Sequence, residues 1–120
     1  MSPAEAIDGV FRAWQNLDVE ALVELFTDDA RYEDPLFPEA LVGASQLRDG
    51  IAPAMADLAE CVITTRRLVE QDAVGLVEAE FRSRLAAGDG RLDFDFAMVV
   101  ELRDGRIARL AEYFDTGPLA

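Results

Sequence analysis

Two stretches between residues 76 and 102 repeat with a period of two, and extended backbone is what presents side chains in that way. In the first, Val77, Ala79, Phe81, Ser83 and Leu85 fall on one face, with Glu78, Glu80, Arg82 and Arg84 on the other. In the second, Leu92, Phe94, Phe96, Met98, Val100 and Leu102 form the apolar face, opposite Asp93, Asp95 and Glu101. Gly88-Asp89-Gly90 between them reads as a hairpin turn. Arg103-Asp104-Gly105 reads as a second turn, leading into a last strand from Arg106 to about Asp115. Residues 61–70 alternate in the same way, so the C-terminal half is an antiparallel sheet with one buried face.

The N-terminal half has helical spacing. Ser2-Pro3-Ala4-Glu5 combines an N-cap serine, a proline at the first helical position and a glutamate at the third. The helix it starts should run to about Asn16, carrying Ile7, Val10, Phe11 and Trp14 on one face. Asp18 caps a second, shorter helix with Ala21, Leu22, Leu25 and Phe26 inward. Ala30–Glu33 reads as a short strand and 35–43 as a loop. Ser45 is placed to cap a third helix through Leu47 and Ile51, disturbed at Pro53 and resumed to about Leu58. Helices followed by antiparallel strands make an α+β domain, and 120 residues suit one domain spanning 1–120.

Composition narrows the chemistry. The 24 acids against 11 bases leave a net charge of −13, which repels phosphate backbones and anionic lipid, so neither nucleic acid nor a membrane is expected as a partner. The N-terminal residues lack a basic start followed by an apolar stretch, and a cytoplasmic location is the expectation. Every base is arginine; lysine and histidine are absent. This removes the lysine Schiff base, the histidine general base and the nucleophile systems that need histidine. Acid–base work falls to Asp, Glu, Tyr or the single cysteine, Cys61, which reads as a small buried hydrophobe.

Three polar residues stand out. Asp34 lies between the Ala30–Glu33 strand and Pro35, and is either a turn residue or the acid of a pocket. Glu112 shares strand parity with Leu110 and Phe114, the face taken as interior. Tyr32 is either a half-buried strand aromatic or a catalytic donor. The outward Asp93 and Asp95 read as solvated surface or as an interface.

Three segments carry a family resemblance: "FTDDARYEDP", "LVGASQLRDGI" and "RDGRIARLAEYFD". Over roughly residues 5–116 the chain resembles the SnoaL-like, ketosteroid isomerase-like branch of the NTF2-like superfamily, and also limonene-type epoxide hydrolases. That resemblance implies an NTF2-like cone: a curved antiparallel sheet of four to five strands wrapped around three N-terminal helices, often homodimeric. It also implies a closed-ended pocket for a small hydrophobic molecule, lined by Trp14, Phe81, Ser83, Phe94, Phe96, Met98 and Phe114.

By the same resemblance Asp34, in "YEDP", falls on the general base of ketosteroid isomerases. The two oxyanion donors of those enzymes fall on Val10 and about Met98, which cannot donate, and this argues against steroid isomerisation. The water-positioning pair of the epoxide hydrolases falls on Tyr32 and Asp34, and their last-strand acid on Glu112. Their central arginine and aspartate fall on Phe81 and Ser83. The implied enzyme is a cofactor-independent isomerase, polyketide cyclase or epoxide-opening hydrolase. Its catalytic set is Asp34, Glu112 and Tyr32, with no metal. Asp34, facing Phe94, Phe96, Met98 and Phe114, is expected to lose hydration and rise in pKa toward the range of a useful base. A non-catalytic binding module for a hydrophobic metabolite and a purely structural dimerisation domain stay open beside it.

Overall fold

The computed structural model describes residues 1–117. Helix α1 (Pro3–Gln15) begins with the expected reciprocal cap: Glu5 N–H donates to Ser2 Oγ at 3.1 Å, and Ser2 N–H to Glu5 Oε1 at 2.9 Å. Its inward face is Ala6, Ile7, Val10, Phe11 and Ala13. Asp18 caps α2 (Val19–Val23) by accepting from Ala21 N–H at 3.0 Å.

Strand β1 (Phe26–Glu33) is longer than the Ala30–Glu33 segment visible in the sequence, and Phe26 opens it instead of closing the second helix. The expected loop at 35–43 contains a two-residue strand, β2 (Leu41–Val42). The third helix, α3 (Gly43–Ala56), is not capped by Ser45. Gly43, at φ 83°, turns the chain out of β2, and Val42 holds the N-cap position. The Val42 N–H is satisfied by Gln46 Oε1 at 2.8 Å. Pro53 does not end α3, which runs three residues past it; the ladder loses the one bond that its missing N–H would have made.

Strands β3 (Leu58–Gln71), β4 (Val74–Leu85), β5 (Arg91–Arg103) and β6 (Arg106–Tyr113) complete the sheet. The spatial order is β2-β1-β6-β5-β4-β3, giving six strands where four to five were expected. The strand that the sequence did not show is β2, which is too short to alternate. All pairs are antiparallel except β1 with β6. That parallel pair brings residues from opposite ends of the chain together, setting Tyr32 beside Leu110.

The sheet packs its inner face on α1 and α3. Gly75 permits the close approach of α1: a Cβ there would lie 2.9 Å from Pro3 Cβ and 3.0 Å from Ile7 Cδ1. Side chains also tie α1 to β3, the exposed edge strand. Ala4 N–H donates to Glu70 at 2.9 Å, and Gln15 Oε1 accepts from Ile63 N–H at 3.0 Å. Both bonds occupy polar groups near an edge that could otherwise recruit another strand.

The outer face is laced with ion pairs. Arg82 and Arg66 both reach Glu80 and Asp95, at 2.8 to 3.2 Å. Asp93 accepts from Ser83 N–H at 3.0 Å and pairs with Arg91 at 3.1 Å. Arg109 bridges Glu33 and Glu101, each at 2.8 Å.

Candidate active site

The alternation of β1 decides which acids enter the interior. Tyr32 points in, Glu33 points out to Arg109, and Asp34, just past the strand, points in again. On β6 the same logic turns Glu112 inward beside Met98 of β5, while Tyr113 faces out. Tyr32 and Glu112 meet: the phenol donates to Glu112 Oε1 at 2.8 Å. Tyr32 is completely buried, not half-buried.

Asp34 satisfies both readings of its sequence position. Its Oδ1 accepts from Leu36 N–H at 2.8 Å, and its carbonyl accepts from Phe37 N–H at 3.0 Å, so it organises a turn. It also lines a cavity of about 120 Å³ together with Tyr32 and Glu112. The remaining wall is apolar. Phe94 stacks on Phe114 at 4.5 Å and on Phe81 at 4.9 Å, between centroids. Phe11 meets Phe96 edge-on at 5.8 Å, and Trp14 meets Phe81 edge-on at 6.5 Å. Met98 closes the wall near Glu112.

Of the expected lining residues only Ser83 lies away from the cavity. It is buried on the sheet's inner face, with its hydroxyl donating to the Leu92 carbonyl at 2.6 Å. Spending the hydroxyl on a neighbouring strand is the usual solution for a buried serine. Sequence reasoning missed Phe37, Ile51, Leu58 and Ile63 as wall residues. Ile51 was visible as an inward helix position, whereas Phe37 sits in a loop with no periodicity to read.

The electrostatics centre on Glu112. Burial pushes its carboxyl well above the ordinary carboxylate range, the neighbouring Asp34 charge and a hydrogen bond with Asp34 raise it further, and donation from Tyr32 only partly opposes them. Glu112 as a whole residue is half-buried, but it lines the cavity and its carboxyl group is enclosed by the pocket walls. The sequence did not mark Glu112 as an acid that burial would raise; Asp34, at the turn beside it, accepts from the Leu36 N–H. Tyr32 is also pushed well above its ordinary value by burial, then by the charges of Glu112 and Asp34, so it stays a neutral donor. No arginine lines the cavity, so no fixed cation compensates the two acids. The result is a cluster on one wall of the cavity: the Tyr32 hydroxyl bonded to the Glu112 carboxyl, with the Asp34 carboxyl beside them.

Cys61 behaves as the expected small buried residue. Its Sγ–H donates to the Trp14 carbonyl at 3.2 Å, and burial pushes the thiol up to about 11. Among the described residues no group of three or more metal-ligating side chains gathers.

A six-stranded curved sheet closed by helices is the NTF2-like, ketosteroid isomerase-like fold, and solved structures share it. The chain belongs to the SnoaL-like domain family, whose signature matches residues 7–110. A hypothetical protein of ketosteroid isomerase-like fold from Catenulispora acidiphila DSM 44928, solved with trimethylamine, is 19% identical. It superposes with a TM-score of 0.83 over 96% of this chain and 88% of its own. An LEH-like epoxide hydrolase from M. tuberculosis is 23% identical, with a TM-score of 0.78 over 93% of this chain and 81% of its own. SalBIII, an epoxide hydrolase/cyclase-like enzyme of pyran ring formation in the polyether salinomycin, is 23% identical, with a TM-score of 0.80 over 94% and 90%. At these identities the likeness is one of fold. Among curated proteins, none matches the sequence.

Proposed function

We propose that the protein is a cofactor-independent acid–base enzyme for a small hydrophobic substrate, with Asp34 as general base and Glu112 as general acid. The observation that carries this reading is the Tyr32–Glu112–Asp34 cluster inside an otherwise apolar cavity. A carboxyl that burial keeps protonated can deliver a proton in the same step in which a second acid removes one. With an epoxide, water would lose a proton to Asp34 while its oxygen bonds to a ring carbon. The ring C–O bond would break as Glu112 protonates the departing oxygen. With a ketone, Asp34 would take an α-proton while the Glu112 proton stabilises the enolate oxygen. Tyr32 fixes the Glu112 carboxyl in either case. The similarity to SalBIII and to the LEH-like hydrolase supports this chemistry by analogy.

The cavity volume limits the substrate. About 120 Å³ is below the ~300 Å³ at which drug-sized pockets begin, and near that of a cavity able to hold one six-membered ring. Polycyclic substrates would need the pocket to open.

The test is turnover of ring-sized epoxides and ketones by the wild type and by Asp34→Asn. Asparagine can still accept the Leu36 N–H, so folding should survive while turnover falls by about 10²-fold or more. Full activity in Asp34→Asn removes Asp34 from the mechanism.

A second reading is a binding module for the same class of molecule. It is favoured by the lack of any arginine beside the two acids. Saturable ligand binding without product would establish it. A homodimer belongs to either reading. The outer sheet face exposes Leu76 and Tyr113 at 43% and 55%, and sedimentation of the wild type against Leu76→Arg would measure that contact.

A further inference from the structure

Donors in the cavity are scarce. Only Trp14, Tyr32, Asp34 and Glu112 bring polar side-chain atoms to its wall. The Tyr32 proton is committed to Glu112 at 2.8 Å, and the Glu112 proton is the one transferred in the function proposed above. The indole N–H of Trp14 is different: Trp14 lines the cavity, its N–H makes no hydrogen bond to any described residue, and indole nitrogen can only donate.

The ring carrying that N–H is held firmly. Phe81 packs edge-on against it, with the planes at 85°. The Trp14 carbonyl accepts from Leu17 N–H at 3.0 Å and from Cys61 Sγ–H at 3.2 Å. Val10, one helical turn earlier on the same face, has nothing to donate. Among the described residues Trp14 therefore supplies the only side-chain N–H on the cavity wall, which it shares with the two acids.

We propose that the Trp14 indole N–H is the hydrogen-bond donor that receives the ligand's oxygen, selecting molecules with a single acceptor at the end nearest Tyr32 and Glu112. The ligand class is a ring-sized neutral ketone, ether or epoxide. An apolar molecule of the same shape would fill the cavity without this bond. The inference rests on the pocket being a ligand site, as in the function proposed above, but it does not require turnover.

The experiment compares cyclohexanone with methylenecyclohexane, which replaces the carbonyl oxygen by a carbon of similar shape, in NMR titrations of the full chain. Wild-type protein should prefer the ketone, and its binding should also change the emission of Trp14, the only tryptophan in the sequence. In Trp14→Phe, ketone affinity should fall by about tenfold while methylenecyclohexane stays within about twofold. Because Trp14→Phe alters packing, a second protein carries 3-benzothienylalanine at position 14, with sulfur in place of N–H and nearly the same shape. It should show the same selective loss. Equal losses for both ligands, an unchanged ketone affinity, or no saturable cyclohexanone binding to the wild type would overturn the proposal. An inactive wild type that keeps the Trp14-dependent ketone preference would defeat the enzymatic reading alone.

Discussion

The Tyr32 hydroxyl donates to Glu112 Oε1 across 2.8 Å, joining β1 and β6 from residues 80 positions apart in sequence. This bond and the Asp34 charge give the Glu112 proton a measurable signature. A carboxyl whose folded pKa is raised keeps its proton when the unfolded chain has already lost it. Its contribution to stability is therefore intact below the ordinary value near 4.5 and declines as pH rises from there toward the raised folded pKa. In Glu112→Gln, which preserves an acceptor for Tyr32 and a donor for Asp34, the fall of Tm with pH above 4.5 should flatten. Thermal melts from pH 4 to 9 check this, and a parallel slope in both proteins would contradict the assignment. Activity should be lost as pH rises through the same titration.

Tyr32→Phe removes the one contact that holds the Glu112 pKa down. The alkaline limb of the pH–rate profile should move to higher pH, with stability reduced by about 1 kcal/mol for the missing hydrogen bond. Paired pH–rate curves read the shift; an unmoved limb would place Tyr32 outside the proton chain.

Phe94 is sandwiched between Phe81 and Phe114 at the cavity wall. Phe94→Ala should destabilise the fold by about 3 kcal/mol or less, since the ring is only part-buried, and should enlarge the cavity. Bulkier bicyclic ligands should then bind where the wild type rejects them, a change that calorimetry with ligands of increasing size would record.

Gly75→Val should destabilise by about 1–3 kcal/mol without touching the acids, because Pro3 and Ile7 already occupy the space a side chain would need. Denaturant unfolding measures it. A neutral result would mean that α1 can shift outward at little cost.

The sheet was legible because β4 and β5 are each buried on one face, so burial writes itself as alternation. The two caps, Ser2 with Glu5 and Asp18, were legible because capping is local. What escaped was non-local or too short to have a period. Strand β2 has two residues, and β1 was recognised only over its last half. The parallel pairing of β1 with β6 cannot be read from either strand alone. For the same reason Tyr32, Asp34 and Glu112 could be nominated from sequence, but not the bond by which Tyr32 reaches Glu112, 80 residues away.

Arg109 touches none of the cavity, yet it clamps Glu33 to the far side of β1 and does so from the strand that carries Glu112. If β1 slid along β6 by a single residue, Glu33 would rotate inward while Tyr32 and Asp34 rotated out into water. A guanidinium on the convex surface thus works as a register pin, and the identity of the dry acids is decided on the wet side of the sheet.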